Sequence, residues 1–198
     1  MGVSAADVKT LRDKTGAGMM DCKQALKETN GDIEAAIDHL RKKGMQKVEK
    51  KSGRATEQGI VYSYIHPGNR LGVLIEIACE TDFVARTDDF IQMAKDIAMH
   101  IAASRPKAVA REEVKQEDID HEMDIYRAQA REQGKPEHVI EKMITGKLNK
   151  YYEENCLLEQ PFVKDPDKTV QEYLKETIAK LGENMLIRRF ARFEIGEE

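Results

Sequence analysis

A group of acidic side chains lies near the predicted sheet, between residues 76 and 89. Carboxylate oxygens are the ligands that Mg²⁺ and Ca²⁺ prefer in proteins, so these side chains are candidate metal ligands. The predicted elements spread them over a strand, a turn and a helix start, where Asp88 suits a capping role. The sequence therefore predicts neither a metal site nor a bound cofactor. The acids concerned are Glu76, Glu80, Asp82, Asp88 and Asp89.

Two other motifs begin like catalytic or nucleotide-binding signatures but fail at a required position. Residues 16–18 (GAG) could open a dinucleotide fingerprint, yet Asp21 stands at the third glycine position and no strand precedes it. The His-Glu pair at residues 121–122 lacks the second histidine of a zinc-protease motif, because position 125 is Ile. The sequence also lacks a GxxxxGK[ST] phosphate-binding loop. Because none of these catalytic or nucleotide-binding motifs is complete, the sequence favours a protein that is not an enzyme.

The segment Thr81–Arg86 (TDFVAR) lies at a predicted strand-to-helix turn. An isolated aromatic side chain in such a turn is usually buried, so Phe83 is either a core residue or an exposed contact residue. Asp82 by itself is an ordinary turn residue. The combination of the two is what suggests a function.

Charge is unevenly distributed along the chain. Residues 1–55 carry 12 basic and 8 acidic side chains, whereas residues 56–198 carry 20 and 28. Seven of the basic residues lie in residues 41–55 (RKKGMQKVEKKSGRA), which form either a solvated helix end with a linker or a phosphate-binding patch for RNA. Trp is absent and aromatics make up only 6 % of the chain, so base-stacking platforms are scarce. No direct nucleic-acid partner is expected.

The cysteines and the apolar segments indicate a cytoplasmic protein. Cys22, Cys79 and Cys156 are spaced too widely for a disulfide framework or a zinc site. The first six residues contain no apolar signal segment. The most apolar stretch, Val73–Ala78, is too short to span a bilayer, so no membrane partner is expected.

Three short helices are predicted in the first fifty-five residues, from the spacing of apolar residues and from capping residues. They run from Ser4 to about Lys14, from Met19 to Thr29, and from Asp32 to Gly44. Such a small bundle has room for only one of the adjacent Met19 and Met20 side chains to point inward. The other is expected at the surface, either incidentally or as an adaptable contact for a partner helix.

The acidic remainder contains predicted strands and predicted helices, and the two types are segregated along the chain. This arrangement indicates the α+β class. A hairpin at residues 58–66 and 71–79 is followed by a helix at 88–104, a short strand at 107–111, a helical hairpin at 117–133 and 137–155, a helix at 169–181 and a strand at 185–195.

Several longer motifs together resemble the bacterial elongation factor Ts family, and they span nearly the whole chain. The matching segments read VKTLRDKTGAGMMDCKQAL at residues 8–26, NGDIEAAIDHLRKKG at 30–44, CETDFVAR at 79–86, LLEQPFVKDP at 157–166 and GENMLIRRFARFEIGE at 182–197. The resemblance implies a ubiquitin-associated-like three-helix domain over residues 1–55. It also implies a core domain over residues 56–198, with a small antiparallel sheet, packed helices and a helical-hairpin protrusion.

The same resemblance implies a function in translation elongation, as the guanine nucleotide exchange factor for elongation factor Tu. Asp82 and Phe83 would form a wedge beside the Mg²⁺ and phosphate site of the partner, and Thr81 and Val84 complete the TDFV motif associated with displacing that metal. The partner-binding residues implied are Arg12, Met19, Met20, His66 and Arg70.

Many members of this family carry two tandem core subdomains, whereas this chain has the length for one. The short-form resemblance therefore implies a homodimer that supplies the second copy. Two alternatives from other classes remain at this point. One is a ubiquitin-like or RNA-binding adaptor that uses the basic residues 41–54, and the other is a metal-dependent hydrolase that uses the acidic turn.

Overall fold

The computed structural model describes residues 3–197, and its N-terminal part consists of three helices. Helix α1 spans Ala5–Thr15, α2 spans Met19–Glu28 and α3 spans Ile33–Glu49. The Ser4 hydroxyl accepts the Asp7 N–H at 3.1 Å, and the Asp7 carboxylate accepts the Ser4 N–H at 3.3 Å. This capping box satisfies amides that the helix leaves without partners and confirms the predicted start of α1.

The three helices pack around a small apolar core of their own. The expectation that one of the paired methionines points into it is wrong, since Met19 is 57 % exposed and Met20 is 75 % exposed. Side chains at spacings of three and four residues already fill the inward face of α2, and both methionines precede that stripe in the first turn. The buried core residues are Val8, Leu11, Cys22, Ala25, Leu26 and Ala36.

The rest of the described chain contains five strands and five further helices, which confirms the α+β class. The strands are β1 (Gln58–Ile65), β2 (Leu71–Cys79), β3 (Pro161–Phe162), β4 (Asp165–Thr169) and β5 (Met185–Glu194). The helices are α4 (Asp82–Ala85), α5 (Asp88–Ser104), α6 (Gln116–Glu132), α7 (Glu137–Asn155) and α8 (Val170–Leu181), with 3₁₀ turns at Arg111–Glu113 and Leu157–Glu159.

Two small sheets are present among these strands. One has the order β1-β2-β5, and the other pairs β3 with β4 in antiparallel fashion. The predicted hairpin between β1 and β2 is confirmed: the His66 N–H donates to the Leu71 carbonyl at 2.9 Å. Its turn contains Gly68 at a φ of +95°, a conformation that glycine adopts without the clash of a Cβ.

Two expectations about local structure are wrong. Helix α3 does not end at Gly44 but continues to Glu49. A Cβ at Gly44 would lie 3.2 Å from the Cβ of Ala179 on α8, so the glycine permits close packing within the helix. Residues 107–111 form no strand beyond a single bridge between Ala108 and Cys156, because the Glu113 carboxylate accepts the Val109 N–H at 3.0 Å and closes a turn.

The chain divides into two compact units. The first contains the residues up to Ile60, together with Ile77–Met93 and Leu174–Leu186. The second contains Val61–Glu76, Ala94–Tyr173 and the residues from Ile187 onward. The division into domains at residues 1–55 and 56–198 stays a prediction. No helix of the described residues is both long enough and apolar enough to cross a membrane.

Helices α6 and α7 form the predicted helical hairpin within the second unit, and they enclose a separate small core. Its buried residues are Ala130, Ile140 and Ile144, with Met123 and Tyr126 packed against them. Burial raises the pKa of the Tyr126 hydroxyl to about 12, and a hydrogen bond with Glu122 acts in the same direction. The hairpin therefore has a narrow apolar seam and mostly charged outer faces, as its sequence indicated.

A polar network holds the second unit together around His100, which is fully buried on α5. The Val163 N–H donates to Nδ1 of His100 at 3.1 Å, so this nitrogen carries no proton. Nε2 lies 2.9 Å from Oε1 of Gln160 and is the donor in that pair. The Gln160 amide NH₂ in turn donates to the carbonyls of Glu154 and Ser104. Every polar atom of the neutral imidazole is thus satisfied.

We expect this histidine to make the protein less stable below about pH 6.5, the usual histidine pKa. Burial lowers the pKa of His100, while the hydrogen bond to Gln160 partly opposes the shift. The stabilisation is therefore present above the unfolded-state pKa and is lost as the pH falls. Urea unfolding at pH 7.5 and 5.5 measures the loss, which is limited to about 1.4 kcal/mol per pH unit for one proton.

His100→Gln should lower the stability at pH 7.5 but remove this dependence on pH. His138→Gln, the same change at an exposed position on α7, should retain the dependence. If His100→Gln loses as much stability between pH 7.5 and pH 5.5 as the wild type does, the pH dependence does not come from His100.

Candidate functional site

The segment between β2 and α5 contains a single helical turn, α4, which displays the TDFV motif. Thr81 has extended backbone angles, φ −130° and ψ 154°, and its hydroxyl accepts the Val84 N–H at 3.4 Å. The Ala85 N–H donates to the Thr81 carbonyl at 3.3 Å, and the Ala85 side chain is buried. The turn is therefore held by its cap on one side and by an inward-facing methyl group on the other.

Phe83 projects from this turn with 80 % of its surface exposed. The structure thus decides between the two interpretations of the sequence, because Phe83 contributes nothing to the core. Phe90, seven residues later at the start of α5, is fully buried and belongs to the core. The exposed phenyl ring is therefore available for a contact with another molecule.

Asp82 lies beside this ring and forms an ion pair with Arg86 at 2.9 Å. The carboxylate side chain is 46 % exposed and the guanidinium side chain 78 % exposed. Exposed pairs of this kind contribute only about 0–1 kcal/mol, so the carboxylate is readily available to a different partner.

Hydrogen bonds connect residues 80–81 with residues 183–184 of the same unit, and each pair supplies a carboxylate that accepts from the other. The Glu183 carboxylate accepts the Thr81 N–H at 3.0 Å and the Thr81 hydroxyl at 2.6 Å. In the other direction, the Glu80 carboxylate accepts the Asn184 N–H at 2.7 Å. That backbone hydrogen bond is the main cause that lowers the pKa of Glu80. We refer to Glu80, Thr81, Glu183 and Asn184 as the clasp.

Sequence reasoning missed the clasp altogether. Its two halves are about one hundred residues apart, and the hydrogen bonds within it connect backbone groups with carboxylates that look like ordinary turn residues in the sequence. Only the GEN triplet at residues 182–184, part of the motif at the chain end, marked the second half as distinctive.

The predicted partner-binding residues divide between the two units. Arg12, Met19 and Met20 are exposed and belong to the first unit, as does the TDFV segment. His66 and Arg70 are exposed on the β1–β2 hairpin of the second unit. The His66 imidazole is oriented by the Tyr64 hydroxyl, which lies 3.0 Å from Nδ1.

Comparison with known proteins identifies the family. The sequence profile of the family described as Elongation factor TS matches residues 4–197. The chain belongs to the elongation factor Ts family. Elongation factor Ts of Geobacter sulfurreducens is 62 % identical over 197 residues, covering 100 % of this chain and 91 % of the relative. Elongation factor Ts of Moorella thermoacetica is 58 % identical over 195 residues, covering 98 % and 96 %.

Membership of the elongation factor Ts family gives the chain a role in translation elongation, and it confirms the resemblance on which the sequence analysis relied. The matched region includes the TDFV segment, the clasp and the exposed methionines. The features described above therefore lie within the part of the chain that the family shares.

Most of the five acidic residues considered as metal ligands form ion pairs in this elongation factor Ts family member. Four of them pair with cationic side chains, at distances of 2.7–3.3 Å. Over residues 3–197, no group of three or more His, Cys, Asp or Glu side chains is arranged to hold a metal ion. The pairs are Glu76–Arg189, Glu80–Arg54, Asp82–Arg86 and Asp89–Lys180.

The basic segment 41–54 is partly used to hold the first unit together. Lys43 pairs with Asp21 at 3.4 Å, and the Lys51 ammonium donates to the Gly182 carbonyl. The Arg54 guanidinium pairs with Glu80, which itself belongs to the clasp. These contacts favour the interpretation of the segment as a helix end and linker over that of an RNA-binding patch.

Proposed function

We propose that this chain is the guanine nucleotide exchange factor of elongation factor Tu. It binds elongation factor Tu in the GDP-bound and nucleotide-free forms, displaces Mg²⁺ and promotes the release of GDP, so that GTP can bind. The observation that carries the proposal is Phe83, an exposed phenyl ring beside Asp82 on a turn held at both ends.

Exchange of this kind needs no covalent chemistry and no cofactor. Mg²⁺ and the phosphates of GDP bind a GTPase through many charge-assisted contacts. A protein that binds best when these ligands are absent must weaken them by the same factor by which they weaken its own binding. Displacement of Mg²⁺ is an effective way to obtain that coupling, because the ion neutralises the phosphate charge.

The TDFV segment supplies two suitable groups for this displacement. Phe83 acts as an apolar wedge whose insertion is compatible only with a distorted Mg²⁺ and phosphate site. Asp82 brings a negative charge towards the phosphates, which disfavours GDP once the metal has left. Thr81 and Val84 hold these two side chains in place, since the Thr81 hydroxyl caps the turn at the Val84 N–H.

Contacts away from the wedge keep the two proteins together during exchange. Met19 and Met20 offer adjacent unbranched side chains that adapt to an apolar surface, and Arg12 adds a cationic contact in the same unit. His66 and Arg70 provide a second, polar contact from the β1–β2 hairpin. In this proposal the chain acts in the cytoplasm.

A second copy of this chain is the other partner that we propose. Ile65, Leu74, Phe193 and Ile195 are 46–66 % exposed, and they line an open groove of about 680 Å³ in the second unit. Several exposed apolar side chains in one groove are typical of a protein–protein contact. A two-fold pair would bury these four apolar side chains on both copies.

We expect the purified protein to accelerate the release of a fluorescent GDP analogue from elongation factor Tu in the presence of Mg²⁺. Stopped-flow fluorescence measures the release rate against an excess of unlabelled GDP. The acceleration should weaken as the concentration of free Mg²⁺ rises, because the metal and the exchange factor compete through linkage. A folded protein that leaves the release rate unchanged would contradict the proposed function.

A further inference from the structure

The clasp contains a group that the proposed exchange mechanism does not use directly. Glu183 directs both carboxylate oxygens at Thr81, one at its N–H and the other at its hydroxyl. Hydrogen bonds to an ionised carboxylate are about twice as strong as those between neutral groups. Because the hydroxyl proton is committed to Glu183, an oxygen lone pair of Thr81 is left to accept the Val84 N–H.

A helix as short as α4 depends on such external support. It has four residues, and the formation of a single turn is unfavourable because many dihedral angles are fixed for few hydrogen bonds. Phe83 adds no stabilisation, since its ring has almost no contact with the protein. The position of this ring is therefore set by Thr81 before the turn and by Ala85 after it.

The opposite half of the clasp fixes the position of Glu183 itself. The Asn184 side chain is buried, and its amide NH₂ donates to the carbonyls of Arg54 at 2.9 Å and of Ser52 at 3.4 Å. The Asn184 N–H donates to Glu80. The residue next to Glu183 is thus connected both to the end of the N-terminal helical region and to the residue that precedes Thr81.

We propose that Glu183 is a positioning residue for nucleotide exchange, which holds Thr81 so that α4 presents Phe83 in a defined orientation. The inference rests on the proposed exchange function, and it extends the functional set beyond the TDFV motif to a residue about one hundred positions away. Glu183 acts through Thr81 and does not itself need to contact the partner.

Glu183→Gln tests this role while keeping the length and shape of the side chain. The amide is neutral and places an NH₂ group where one carboxylate oxygen was, so the two charge-assisted hydrogen bonds are lost and the Thr81 hydroxyl no longer meets an oxygen acceptor on that side. We expect the GDP-release rate at saturating exchange factor to fall about tenfold. The concentration for half-maximal release should change less than about twofold, since the contacts of Met19 and Met20 are intact.

Glu57→Gln is the matched control, because Glu57 is an exposed glutamate in the same unit. It should leave both kinetic parameters unchanged, and both variants should melt within about 4 °C of the wild type. Equal rates for the two variants, or a loss in Glu183→Gln that appears only as weaker binding, would overturn the positioning role. An inactive wild type would instead overturn the exchange function.

A spectroscopic readout tests the same inference without the partner. The chain has no Trp, so Phe83→Trp introduces a single indole at the wedge position. In that background, Glu183→Gln should lower the fluorescence anisotropy of the indole, whereas Glu57→Gln should not. An anisotropy that is the same in both variants would overturn the proposal, even if the wild type proves to be an active exchange factor.

Discussion

Replacement of Phe83 by alanine should slow catalysed GDP release by about 30-fold or more and leave the fold intact. Aromatic side chains that become buried at the centre of an interface contribute about 2 kcal/mol or more, which corresponds to this factor. In the free protein the ring is 80 % exposed, so its removal creates no cavity. The stability should therefore stay within about 0.5 kcal/mol of the wild type.

Phe90→Ala provides the matched comparison, because the same truncation occurs seven residues later in a fully buried ring. That variant should lose about 3–5 kcal/mol of stability. Urea unfolding measures the stability of both variants, and stopped-flow release of a fluorescent GDP analogue measures exchange. A Phe83→Ala variant that is fully active in exchange would rule out the wedge, and one that is as unstable as Phe90→Ala would show that the ring is packed.

Replacement of Phe193 by glutamate should separate the proposed homodimer into single chains. Phe193 is 66 % exposed and lines the apolar groove together with Ile65, Leu74 and Ile195. Two-fold symmetry introduces every substitution twice, so two charges would be buried in one interface. We expect the dissociation constant to rise about 100-fold or more. Analytical ultracentrifugation over a range of concentrations measures this change.

Val163→Glu is the control for this experiment. Val163 is a 46 % exposed apolar residue of the same unit that does not line the groove. It should leave the oligomeric state unchanged. A wild type that sediments as a monomer, or a Phe193→Glu variant that remains as dimeric as Val163→Glu, would contradict the proposed pairing.

The Phe83→Ala and Glu183→Gln variants together separate the contribution of the phenyl ring from the contribution of its support. Phe83→Ala removes the group that enters the partner, while Glu183→Gln leaves that group in place and releases its support. If both lower the maximal release rate and neither lowers stability, the presentation of the ring is as important as the ring itself. Their effects should not add in the double variant, because a loosened turn without the phenyl ring has little further activity to lose.

The sequence by itself determined the family and most of the secondary structure. Ser4 with Asp7 began α1, and the glycine at position 182 ended α8, where its φ is +80°. These signals are reliable because capping and turn formation act over three or four residues. The TDFVAR and GENM motifs indicated elongation factor Ts before any geometry was known, and the family comparison confirmed it.

Only the tertiary structure decided which of these residues are exposed. Phe83 and Phe90 are both aromatic residues near a helix start, yet one is 80 % exposed and the other is fully buried. Gly44 lies within a helix because α8 packs closely against it. Thr81 meets Glu183 because the end of β2 lies beside the residues that follow α8. Burial and long-range hydrogen bonds depend on segments far apart in the chain, and no local pattern encodes which of them will meet.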